Sequence, residues 1–136
     1  MNVVILTVGR FAYVKGAEDA VGRWSGAGDT VTVVSMRKLD PVDWPIAASI
    51  ELGAPRTGSK LGKPGRALAR IWPGTVDRQL AAKVRRSSTA RAALDAADLV
   101  VGVDPGTAQA LWWSSRKHGS VPHMLGLEHG LTASQR

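Results

Sequence analysis

The sequence predicts an α/β fold in which a parallel sheet of about five strands, in the order 3-2-1-4-5, lies between helices. Three observations predict it. Asn2 to Val8 is an uninterrupted apolar run, followed by a helical pattern and then by the Val- and Thr-rich run Thr30 to Met36, so the chain opens as β-α-β. Ala97 to Val103, a helical pattern over Ala108 to His118, and Pro122 to Leu127 repeat that order near the other end. The first run is continuous rather than alternating, which suits a central strand covered on both faces. Strand–helix–strand units with short links make right-handed crossovers and parallel pairs.

Each element has a local reason. Gly9-Arg10-Phe11-Ala12-Tyr13 ends the first strand. The helix expected over Lys15 to Ala27 places Ala17, Ala20, Val21 and Trp24 on one face, with Glu18 and Asp19 near its start, where negative charge suits the dipole. Gly26-Ala27-Gly28-Asp29 stops it before strand two. Asp40-Pro41 and Trp44-Pro45 mark a loop, and Ala48 to Leu52 is a short third strand. Gly53 to Pro64 reads as a loop, and Arg66 to Trp72 as a short helix stopped by Pro73-Gly74. Thr75 caps a helix to Arg86, with Val76, Leu80, Ala81 and Val84 on one face, and Ser87-Ser88-Thr89 caps another over Ala90 to Ala97. Asp104-Pro105-Gly106-Thr107 ends strand four, because Pro105 cannot donate to a ladder and Gly106 permits a tight turn. In the next helix Ala108, Leu111, Trp112 and Ser115 share a face, which places Trp112 inside. Arg116-Lys117-His118 fills the last turn and Gly119 stops it. The whole reads as one Rossmann-like domain over 1–136, with a basic helical insertion at about 54–91.

Composition narrows function by exclusion. A chain of 136 residues that is 44% hydrophobic can bury a real core. No run approaches the ~20 apolar residues that cross a bilayer, no charged segment precedes the opening run, and the expected compartment is the cytoplasm. The absence of Cys removes disulfides, thiolate ligands and thiol catalysis together. The net charge of +7 is concentrated: ten of the eighteen basic residues lie between Arg56 and Arg91, where Asp77 is the sole acid. Lys60, Lys63, Arg66, Arg70, Arg85 and Arg86 are therefore candidates for attracting anions: nucleic acid, another phosphate-rich partner or an acidic membrane surface. A solvated basic segment without a partner is the alternative. Trp72 is its one aromatic residue, which weighs against sequence-tolerant single-strand binding.

Cofactor motifs are missing. After strand one only Gly9 and Gly16 are present, with Phe11 and Tyr13 between them, so the dinucleotide fingerprint G-x-G-x-x-G lacks its glycines. No Walker-type phosphate loop occurs. His118, His123 and His129 stand at no metal-ligand spacing with an acid or a Cys, so neither cofactor nor metal is expected.

In open parallel sheets ligands bind beyond the carboxyl ends of the strands. Arg10, after strand one, is either a bidentate fork for phosphate or carboxylate or a plain surface arginine. Asp104, after strand four, either caps the turn at Thr107 or accepts a ligand hydroxyl. Glu128-His129 offers acid–base or hydroxyl contacts, or is a polar surface loop. Arg10 and Asp104 should lie close together when strands one and four are neighbours. Trp113, about 100° around the helix from Trp112, points elsewhere, to a neighbouring helix, to solvent or to a partner, and the Trp112/Trp113 helix is a candidate surface for a homo-oligomer.

These strands and loops resemble the N-terminal, acceptor-side domain of GT-B fold glycosyltransferases, close to the large retaining family (family 4-like). Val3 to Val8, with Ala27-Gly28-Asp29-Thr30-Val31-Thr32-Val33-Val34, is similar to that family's opening unit. Ala96 to Asp104 is similar to its later strand, and Pro122 to His129 to the strand after that, where an acid and a His commonly appear. Gly9-Arg10-Phe11 stands where many members carry a glycine-rich loop. The resemblance implies ligand contacts at Arg10, Phe11, Asp104, Thr107, Glu128 and His129, and a glycosyl acceptor or a donor-domain protein as partner. The family's C-terminal domain binds the nucleotide-sugar donor and carries its paired glutamates. This chain lacks it, so no isolated transferase activity is expected. The alternative is a non-enzymatic binding module that uses the 56–91 segment for nucleic acid or another phosphate-rich partner.

Overall fold

Five parallel strands form one sheet in the order β3-β2-β1-β4-β5: β1 (Asn2–Thr7), β2 (Thr30–Ser35), β3 (Ala48–Glu51), β4 (Leu99–Gly102) and β5 (His123–Leu125). The computed structural model describes residues 1–54 and 74–135. The most apolar strands take the middle. Val3 to Thr7 and Leu99 to Gly102 are all buried, and Val3 lies opposite both Val31 and Leu99.

Alternation along the strands divides the core. Val4, Leu6, Val34 and Val100 face one layer of helices: α2 (Gly74–Arg86), α3 (Ser88–Asp95) and α4 (Ala108–Lys117). Val3, Ile5, Val31, Val33, Leu99 and Val101 face the other: α1 (Ala17–Gly26) and α5 (Leu127–Ser134). Each fully buried Val, Leu or Ile contributes about 1.5–3 kcal/mol, so the two layers supply most of the sheet's stability. Gly130 lets α5 settle onto β4, since a Cβ there would lie 2.6 Å from a methyl of Val101. Where β1 begins, the Asn2 amide donates to Asp98 Oδ2 at 2.7 Å and its side chain donates to the Ala96 carbonyl at 3.1 Å. None of the described helices is long and apolar enough to cross a membrane.

Three expectations need correction. First, α1 starts at Ala17 rather than Lys15, because Phe11–Tyr13 winds one 3-10 turn and Gly16, at φ 82°, makes the left-handed link that follows. Second, Leu127 to Ser134 is a helix, not a loop after a strand. Gly126, at φ 103°, halts β5 after three residues, and Leu127, Gly130 and Leu131 then supply an i, i+3, i+4 inner face. Third, the buried face of α4 is Ala110, Leu111 and Ser114, one position off the expected set. Trp112 is therefore 58% exposed, against expectation, and Trp113 packs against the core, the first of the alternatives named for it. The expected helix at Arg66 to Trp72, with Lys60, Lys63, Arg66 and Arg70, lies outside the described residues.

Candidate functional site

The crossover point between β1 and β4 is held shut by one carboxylate. Asp104 Oδ2 accepts from the Thr7 hydroxyl at 3.2 Å, the Val8 amide at 3.1 Å and the Gly9 amide at 3.4 Å. These amides are free because β1 has ended while the chain still runs outward. Asp104 thus does not cap the turn with its side chain. The Thr107 hydroxyl instead donates to the Asp104 carbonyl at 2.7 Å, and the Thr107 amide to the same oxygen at 3.0 Å. The expected closeness of the Gly9-Arg10 loop to Asp104 follows from these bonds.

The second Asp104 oxygen, Oδ1, is shut off from solvent and has no hydrogen-bond partner among the described residues. The same holds for Oδ1 of Asp77, in the first turn of α2. Burial, and then the charge of Asp104, push the Asp77 carboxyl above its ordinary range. Two acids with unused acceptors therefore lie within electrostatic reach of each other at the carboxyl edge of the sheet. Nothing in the sequence pairs Asp77 with Asp104. The only signal was that Asp77 is the single acid in a basic segment.

The remaining residues divide. Arg10 lines a cleft of about 390 Å³ with Arg37, Lys38, Asp40 and Glu51, its Nε 4.0 Å from Asp40 Oδ2 and its guanidinium carbon 5.6 Å from the centre of the Tyr13 ring. Glu128 and His129 sit in the first turn of α5 and line a different cleft of about 370 Å³ with Lys15, Val103 and Leu125. Two of the expected ligand contacts belong to the core. Phe11 is 1% exposed and meets Trp44 edge-on at 5.8 Å. Thr107 is fully buried against Gly102, where a Cβ would lie 2.1 Å from its hydroxyl oxygen. Arg85 and Arg86 are exposed in the last turn of α2, at the other end of that helix from Asp77. Lys83, counted with the basic segment, is used internally: its ammonium donates to the carbonyls of Gly53 at 2.8 Å and Ala54 at 3.0 Å.

The histidines have structural partners or lie apart from metal-type neighbours. His118 Nε2 pairs with Asp95 Oδ1 at 3.1 Å, joining the end of α4 to α3. His123 lies 2.7 Å from the Val121 carbonyl through Nδ1 and 2.9 Å from the Ser114 hydroxyl through Nε2, and burial lowers its pKa. No group of three His, Cys, Asp or Glu able to hold a metal occurs among the described residues.

Asp77 and Asp104 thus set two carboxylates at the carboxyl ends of β1 and β4, while Arg10 lines the neighbouring cleft with residues that follow β2 and β3. A scan against protein-family models found no match, and a search of curated proteins found none either.

Proposed function

We propose that this chain is the acceptor-binding half of a GT-B glycosyltransferase-like protein, working with a donor domain that is not within these residues. The observation that carries the reading is the β1–β4 junction, where one Asp104 oxygen is fixed by three bonds and the other, buried, has no hydrogen-bond partner among the described residues. A sugar hydroxyl is the kind of donor that oxygen lacks. The all-parallel sheet in the order 3-2-1-4-5 supports it by placing that junction at the topological switch point. On this reading the chain binds and orients the acceptor, and chemistry at the donor carbon depends on the other domain.

A ¹⁵N-NMR titration with neutral methyl glycosides tests it. Shifts at the amides of Val8 to Arg10 and Asp104 to Thr107 are expected, with no turnover of nucleotide-sugars by the chain alone. Turnover without a second protein, or no shifts at millimolar sugar, overturns it. The second reading, a module for nucleic acid or a phosphate-rich surface, draws on Arg78, Arg85, Arg86 and Arg91, which are exposed and without ion-pair partners among the described residues. That reading requires binding that weakens steeply from low to moderate salt.

A further inference from the structure

We infer that the cleft beyond the ends of β1, β2 and β3 binds a phosphorylated sugar or polyol, its phosphate held by Arg10, Arg37 and Lys38 and its hydroxyls by Asp40 and Glu51. The inference rests on the acceptor-side reading above and names the acceptor's chemical class. Arg10 follows β1 and the other two cations follow β2, so folding brings together charges that lie far apart in sequence and outside the basic 56–91 segment. The cleft, about 390 Å³, is of the size that takes small ligands.

The walls are built on fixed backbone. The Met36 amide donates to the Thr7 carbonyl at 3.2 Å, the Leu52 amide to the Ser35 carbonyl at 2.8 Å, and the Ser35 hydroxyl to the Arg37 carbonyl. Arg10 is steered by Asp40 on one side and the Tyr13 ring on the other. Arg37 and Lys38 have no ion-pair partner among the described residues, whereas Arg23 pairs with Asp19 and Lys83 is used on carbonyls. Their charge is free for an anion.

The rest of the lining selects the anion. A bare polyanion such as nucleic acid would press its phosphates against Asp40 and Glu51. Asp40 Oδ2 is buried with no hydrogen-bond partner among the described residues, so it wants an O–H or N–H donor. The described lining contains no aromatic ring on which a base could stack. A phosphate ester on a hydroxylated carbon skeleton satisfies the cations and the carboxylates together.

The test is a ¹⁵N-NMR titration at fixed ionic strength with glucose 6-phosphate, glucose and inorganic phosphate, on the wild-type chain and on R37A/K38A. Both replaced side chains are exposed, and an unchanged spectrum elsewhere verifies the fold. Glucose 6-phosphate is expected to shift the amides of Arg10, Arg37, Lys38 and Glu51, and to bind at least about tenfold more tightly than either glucose or phosphate. R37A/K38A is expected to lose its preference for glucose 6-phosphate over glucose. Equal affinity for the sugar and its phosphate, binding unaffected by R37A/K38A, or shifts confined to Arg78, Arg85 and Arg86 would overturn it. Should neutral sugars still shift the Asp104 loop while R37A/K38A binds glucose 6-phosphate normally, this inference fails and the acceptor-side reading stands.

Discussion

Replacing Asp104 by Ala removes the acceptor for three donors at once. The Thr7 hydroxyl has a substitute, the Gly9 carbonyl at 3.3 Å, so its loss is small. The Val8 and Gly9 amides have none, and both residues are half-buried, so water replaces only part of what they lose. A hydrogen bond to a charged acceptor contributes about 1.5–3 kcal/mol net, and the 3.4 Å contact to Gly9 lies beyond the usual range and counts for less. Removing the charge also relieves repulsion with Asp77. The expected cost of D104A is therefore about 2–3 kcal/mol. In a domain of this size that lowers Tm by about 6–12 °C. D104N keeps an oxygen that can accept from Val8 and Gly9 and should cost about 1 kcal/mol. Urea unfolding followed by circular dichroism measures both, and hydrogen exchange at the Val8 and Gly9 amides should quicken in D104A only. The reasoning is refuted if D104A unfolds within 0.5 kcal/mol (roughly the noise of surface substitutions) of wild type, or if D104N is as damaging as D104A.

Burial and Asp104 raise the Asp77 carboxyl above its usual 3.8, so between the unfolded and folded values the native state binds the extra proton. Asp77 therefore destabilises the fold above its folded pKa and not below 3.8; D77N should have a higher urea midpoint at pH 7, with the gap closing on acidification. A gap independent of pH would contradict it. Gly102→Ala puts a Cβ 2.1 Å from the Thr107 hydroxyl and 2.7 Å from a Leu111 methyl, and should cost at least about 2 kcal/mol in a thermal melt. Trp112→Ala should change stability by less than about 0.5 kcal/mol, since the ring is exposed beneath Arg116 at 5.0 Å, whereas Trp113→Ala should cost about 2 kcal/mol. Equal losses for the two would restore the expected face of α4.

The strand order was legible because parallel βαβ units leave few topologies and the continuous apolar run at Asn2 to Val8 suits a strand covered on both faces. The meeting of the Gly9 loop with Asp104 followed from that order. Trp112 was misplaced for a phase reason. One residue rotates a helix by about 100°, and the starting phase was set by Ala108 when it belongs to the buried Ala110 and Leu111. The last helix was hidden because Leu127, Gly130 and Leu131 are too few to show a period and Gly130 reads as a breaker, although its missing side chain is what seats the helix. Asp77 with Asp104, and Arg10 with Arg37 and Lys38, meet only through tertiary packing, which one-dimensional spacing does not contain.

The carboxylates of Asp98 and Asp104 bracket β4 and grip β1 at its two ends, each across 96 residues of chain. Closing a loop of that length costs about 4 kcal/mol of chain entropy before any contact repays it, and the second grip then closes almost free. β1 is made before β4, and its β4 flank stays open until nearly a hundred more residues have been made, an interval of about 5–20 s at ordinary elongation rates. Until β4 arrives, that edge of β1 leaves unpaired backbone groups open to a foreign strand.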